Sequence, residues 1–190
     1  MLRIIYNTFM ISILFYIVIG VIYPSSIYLI GNVLFEKKAN GSIVYLNSKP
    51  IGSKLIGQNF TSDKYFWGRP SAAGEKGYDA LSSGASNYAF YNEKLLKRIN
   101  DQVIFIKQKN LLPDSQEIPS NLIMASASGL DPHITVDSAK LQIKRIALAR
   151  NISEEKVNDL IKKNTEKPYL TFMGQELVNV LQLNVSLDTL

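Results

Sequence analysis

Residues 4–35 read IIYNTFMISILFYIVIGVIYPSSIYLIGNVLF, and no charged side chain lies between Arg3 and Glu36. The run is longer than the roughly 20 apolar residues that cross the hydrocarbon core of a bilayer. A secretory signal has an apolar region of only about 7–15 residues, followed by a small-residue cleavage site. Here the run is longer and no A-x-A pattern follows it. The reading is an uncleaved membrane anchor over 1–36 and one soluble domain over 37–190. Pro24 interrupts the run, which membrane helices tolerate when neighbouring groups re-satisfy the freed carbonyl. Asn7, Ser12, Ser25 and Ser26 are more polar than a lone lipid-exposed helix requires, and such residues suit packing against other helices. The plainer alternative puts Asn7 and Asn32 at the two membrane interfaces.

Flanking charge gives a first reading of orientation. Arg3 and the terminal amine stand on one side, and Lys37, Lys38, Lys49 and Lys54 on the other. By the positive-inside tally this leans towards a cytoplasmic domain, although long domains translocate largely regardless of charge.

The chain has 190 residues, a formal net charge of +5, one histidine and no cysteine. Removing the anchor leaves enough chain for one domain of ordinary size, which buries roughly 70% of its unfolded surface and needs no staples. Without cysteine there are no disulfides, thiolate metal sites or cysteine nucleophiles. His133 alone makes a poor zinc site. "GSKLIG" (52–57) lacks the glycine–lysine order that cradles phosphates, and "SGASN" (83–87) is not a nucleophile elbow. No block of like charges suggests a nucleic-acid partner. An enzyme would have to rest on a hydroxyl such as Ser71, Ser86, Ser126 or Ser128.

The domain reads as α+β, with two or three helices on a small sheet. Ile43–Leu46 and Lys54–Ile56 predict a hairpin turning at Asn47, Ser48, Lys49 and Pro50. A Gly-, Ser- and Tyr-rich stretch from Gln58 to about Asn87 predicts a long functional loop. Leu95, Ile99, Val103 and Ile106 recur at helical spacing between about Asn92 and Asn110. "NLIMAS" (121–126) predicts a buried strand. Asp137 or Thr135 predicts a helix cap, with the helix running to about Arg150, and Ser153 caps a second helix. Leu181–Asp188 alternate apolar and polar, which predicts a strand, although Val178, Leu181 and Val185 also share a helical face.

Two segments carry unusual chemistry. "YFWGRPSA" (65–72) sets Tyr65, Trp67, Gly68, Arg69, Pro70 and Ser71 in a rigid turn. Arg with aromatics is an interface composition, and a guanidinium can grip a carboxylate bidentately. The plainer reading is a turn whose rings fill the core and whose Arg69 pairs with a carboxylate of the same domain. "ASASGLDPHIT" (125–135) holds Ser128, Gly129, Asp131 and His133. Its plainer reading is a connection in which Asp131 satisfies backbone amides.

Taken in order, "ANGSI" (39–43), "GSKLIGQNF" (52–60), "YFWGRPSA", "SGASN", "ASASGLDPHIT" and "VNVLQLNVSLD" (178–188), behind an anchor with Tyr23–Pro24, resemble the C subunit of the Kdp-type potassium-transporting ATPase. The resemblance covers nearly the whole chain. It departs at "YAFYN" (88–92), where the family usually has small residues and a proline. The resemblance implies a non-catalytic, single-span accessory subunit in the cell membrane, with its N-terminus cytoplasmic and its domain outside. It implies three partners: a channel-like potassium-binding subunit, a P-type ATPase catalytic subunit and a small membrane peptide. ATP and K+ would then belong to the partners, and the chain would have no cofactor of its own. The family is also described as a chaperone for ATP binding, which an external domain could not perform by direct contact. The competing expectation is a membrane-tethered extracytoplasmic enzyme or ligand-binding module.

Overall fold

The computed structural model describes residues 1–170, 172 and 174–190. It divides into two compact units, Met1–Ile43 and Val44–Leu190.

In the first unit, α1 (Leu2–Phe15), a π-helical stretch (Tyr16–Ile22) and α2 (Tyr23–Leu34) form one helix of 33 residues, long and apolar enough to cross a membrane. Proline explains the π segment. Pro24 has no N–H, and its ring crowds the carbonyl four residues back. The helix absorbs this with a wider turn, in which the Tyr23 N–H reaches the Val18 carbonyl, five residues back. Ser26 Oγ donates to the Ile22 carbonyl at 2.8 Å, and Asn32 Nδ2 to the Tyr28 carbonyl at 2.9 Å. Both are satisfied within their own helix. Asn7, Ser12 and Ser25 lie exposed on the same helix. A single turn, α3 (Glu36–Ala39), follows.

The next segment starts with a hairpin of β1 (Ile43–Leu46) and β2 (Lys49–Ser53). The second strand begins earlier than Lys54, and Pro50 lies inside it rather than in the turn. Asn47 and Ser48 both adopt left-handed backbone, with φ of 50° and 63°. A two-residue turn of that hand matches strand twist and closes the hairpin before Lys49. No helix or strand occurs between Ser53 and Glu93. Then come α4 (Glu93–Lys109) and α5 (Ser120–Ile123). The Asn92 side chain caps α4, and Leu95 and Ile106 are buried, as the periodicity predicts. The expected strand over 121–126 is instead the single turn α5 and an extended exit. Pro119 presets the turn, the Leu122 N–H bonds its carbonyl at 3.0 Å, and Leu122 is buried. An apolar run this short does not reveal its period.

The rest is β3 (His133–Thr135), α6 (Val136–Lys140), α7 (Ile143–Arg150), α8 (Glu154–Lys163), β4 (Thr165–Glu166), β5 (Leu177–Asn179) and α9 (Val180–Asp188). Of the two expected caps, Thr135 and Asp137, it is Thr135 that caps α6 through its side chain. The single helix expected to Arg150 breaks at Leu141–Gln142. Asn151, left-handed at φ 55°, links α7 to α8, which Ser153 caps. Leu181–Asp188 is helix rather than strand: Val180, Leu183, Asn184 and Leu187 share the buried face of α9. In the small antiparallel sheet β3-β5-β4, Ile134 faces Val178. The α+β class stands, although among the described residues α4, α7, α8 and α9 each run to eight residues or more.

The core has two clusters. One holds Phe66, Ile134, Ile146, Val157, Val178 and Leu183, and the other Trp67, Ile106 and Leu122. Two consecutive residues of the long loop thus enter different clusters.

Candidate functional site

The loop at 65–72 has no ladder to satisfy its backbone, and buried backbone groups left unpaired are expensive. Buried side chains do this work instead. Asn184 accepts from the Phe66 N–H at 2.8 Å and donates to the Phe66 carbonyl at 3.0 Å. Gln142 does the same for Trp67, at 2.8 Å and 3.1 Å. Each amide imitates one rung of a strand partner. Arg145 extends the arrangement. Its guanidinium stacks 3.7 Å from the Trp67 ring centre and donates to the Tyr65 carbonyl, to Gln142 Oε1 and to Asn110 Oδ1. Burial pushes the Arg145 guanidinium down to about 10, offset by the charge of Asp63, so it stays a cation near neutrality. Arg150 holds the loop's near end: it bonds the Lys64 and Leu187 carbonyls and Asp188, and Tyr65 Oη also donates to Asp188 at 2.9 Å.

The far end of the turn meets the second segment. Arg69 Nη1 lies 3.0 Å from Asp131 Oδ2, so Arg69 pairs with a carboxylate of its own domain. Asp131 Oδ1 also accepts the His133 N–H at 3.0 Å. Burial alone raises the Asp131 carboxyl, but bonds from His133 and Arg69 outweigh it and hold the group below the usual carboxylate range. Ser71 Oγ donates to the Gly129 carbonyl at 2.6 Å and accepts the Tyr78 N–H at 2.7 Å. Gly129 has φ 68°, and a Cβ there would stand 2.7 Å from the Gly84 carbonyl oxygen. The Ser128 carbonyl accepts from the Gly84 N–H and Ser83 Oγ, both at 2.9 Å. "YFWGRPSA", "SGASN" and "ASASGLDPHIT" therefore form one knot. Tyr78 Oη donates to the Arg69 carbonyl and crowds Gly68. Its hydroxyl is pushed up to about 12, first by burial and then by the Asp131 charge.

Two clefts flank Arg69. One, of about 280 Å³, is lined by Phe60, Trp67, Pro70, Tyr78, Gln102 and Phe105, with Trp67 and Phe105 stacked at 5.3 Å. The other, of about 540 Å³, is polar and lined by Asp131, His133, Thr135, Asp137 and Gln175. The His133 ring lies between two carboxylates, 3.6 Å from Asp131 and 3.8 Å from Glu166, and Glu166 pairs with Lys54 at 2.9 Å.

Gln142, Arg145, Asn110 and Asn184 were not legible as site residues. A signal did exist: Gln142 lies four residues before buried Ile146, and Asn184 lies between buried Val180 and Leu187 at helical spacing. A polar residue on an apolar stripe is worth flagging.

Comparison with known proteins bears on what this knot belongs to. Residues 5–189 match the family model described as KdpC, K+-transporting ATPase, c chain. The Potassium-transporting ATPase KdpC subunit of Caldanaerobacter subterraneus is 42% identical over 95% of this chain and 92% of the relative. The subunit of the same name from Mycobacterium tuberculosis strain H37Rv is 44% identical over 93% of each chain. That of Serratia proteamaculans is 42% identical over 94% of each. With matches spanning both the long helix and the knotted domain, the chain belongs to the KdpC family of K+-transporting ATPase c chains.

Proposed function

We propose that the chain is a non-catalytic accessory subunit of an ATP-driven potassium uptake pump. The long helix spans the membrane with its N-terminus cytoplasmic and packs against partner helices through Asn7, Ser12 and Ser25. The domain lies outside and positions the channel-like potassium-binding subunit, in a complex that also contains the P-type ATPase subunit and a small membrane peptide. One observation carries the accessory reading. The reactive-looking groups of the knot are bonded to each other: Arg69 to Asp131, and Ser71 to Gly129 and Tyr78. A hydroxyl that donates to a carbonyl while accepting an amide is a structural group, which weighs against a nucleophilic Ser71. The knot stiffens the domain so that its clefts and aromatic edges keep a fixed shape for a partner. Arg69, Pro70, Gly129 and His133 act as scaffold around those clefts. ATP and K+ remain with the partners, and any influence on nucleotide affinity passes through the conformation of the catalytic subunit.

Two measurements test this. Detergent extraction from the native cell should bring the chain down together with a P-type ATPase, and isolation of the chain alone would overturn the reading. For orientation, a Lys109→Cys variant on the cysteine-free background should react with membrane-impermeant maleimide in intact cells. Reaction with permeant reagents only would place the domain inside.

A further inference from the structure

Tyr88, Phe90, Tyr91 and Leu96 are exposed at the entry to α4, with Phe90 84% and Tyr91 72% accessible. They do not form part of either core cluster. Phe90 and Tyr91 support one another edge to face at 5.1 Å, and Arg98 lies 5.9 Å from the Tyr88 ring centre while bonding Ser86. Of the three rings, Tyr88 lies near α4 through Arg98, while Phe90 and Tyr91 stand in solvent. Lys94 and Lys97 stand exposed beside it. Residues 88–98 hold three basic side chains, Lys94, Lys97 and Arg98, against one acidic one, Glu93, and the chain as a whole carries +5.

Aromatic rings with a polar edge settle at headgroup depth, and neighbouring lysines are drawn to anionic lipid. Lysine is depleted at protein interfaces, whereas anionic headgroups attract it. The chain also carries its own membrane helix, which keeps the domain at high effective concentration near a bilayer surface. We propose that the Tyr88–Tyr91 loop and the first turns of α4 dock onto the headgroup layer of an anionic bilayer. This goes beyond the accessory-subunit reading and does not depend on it.

The test uses the full chain alone, reconstituted into phosphatidylcholine vesicles with or without phosphatidylglycerol. Tyr91→Cys provides a site for an environment-sensitive fluorophore, and Ser115→Cys, also exposed, gives the control position. With phosphatidylglycerol, emission at position 91 should shift to the blue and be quenched by brominated lipid, while position 115 stays water-like. The K94Q/K97Q pair should weaken this partition by roughly 25-fold, at about fivefold for each lysine. Both substitutions lie on the exposed surface, and unchanged Trp67 fluorescence would show that the fold is kept. A water-like probe at position 91 in both lipids overturns the proposal. So does burial of that probe only when partner subunits are added, which would assign the patch to a protein.

Discussion

Gln142 and Asn184 each use both ends of one amide to pair both backbone groups of one loop residue. Replacing Gln142 with Leu keeps the volume but leaves the Trp67 N–H and carbonyl buried without partners, along with one Arg145 donor. Each of the two backbone groups costs about 1–3 kcal/mol, so their loss alone should cost Q142L roughly 2–6 kcal/mol in a urea titration, with the orphaned Arg145 donor adding to it. N184L should behave alike at Phe66. A loss below about 0.5 kcal/mol would show that water replaces the amide. The ionisable pair gives a pH signature. The Asp131 pKa is depressed in the fold, so its contribution is present above the unfolded value near ~3.9 and is lost as pH falls through the folded value. D131N should flatten that acid limb. Tyr78 has the opposite sign. Its pKa rises from 10.0 to about 12, so its contribution is present below pH 10 and disappears as pH climbs through 12. Y78F should remove that alkaline limb, and tyrosinate absorbance should show one fewer late-titrating group.

At the scale of elements, the structure turns on segments whose local signal was double. Leu181–Asp188 fits a strand by alternation and a helix by the face of Val180, Leu183, Asn184 and Leu187. Helix prevails because one face can then bury three apolar side chains and also present Asn184 to Phe66. "NLIMAS" fails as a strand for a related reason: with Pro119 setting its first turn, one residue of burial at Leu122 was enough. The segments with caps and long periods were readable. The Ser153 cap, the bounds of α4 near Asn92 and Asn110 and its apolar stripe needed nothing beyond their neighbours in sequence. The tight junction between loops can be tested by G129A. Left-handed backbone and a Cβ against the Gly84 carbonyl together should cost about 2–5 kcal/mol. Hydrogen exchange should quicken first in residues 65–87 and 125–133. Uniform exchange would mean that the knot is not a local unit.

For the whole molecule, the long helix and the domain are separate compact units. A fragment of residues 44–190 should therefore unfold cooperatively in urea, with a midpoint matching that of the full chain in detergent. A non-cooperative fragment would show that the domain needs the helix or a partner to fold. The charge-free run from Ile4 to Phe35, the absence of cysteine, the long loop and the family membership were all determined by sequence alone. They depend on composition, period and the order of motifs, which need no knowledge of distant neighbours. That Arg69 meets Asp131, that Gln142 and Asn184 stand in for a strand, and that the last segment is helical were decided only by tertiary structure. Those residues lie tens of positions apart, and their polar groups find partners only after the two hydrophobic clusters have closed around them.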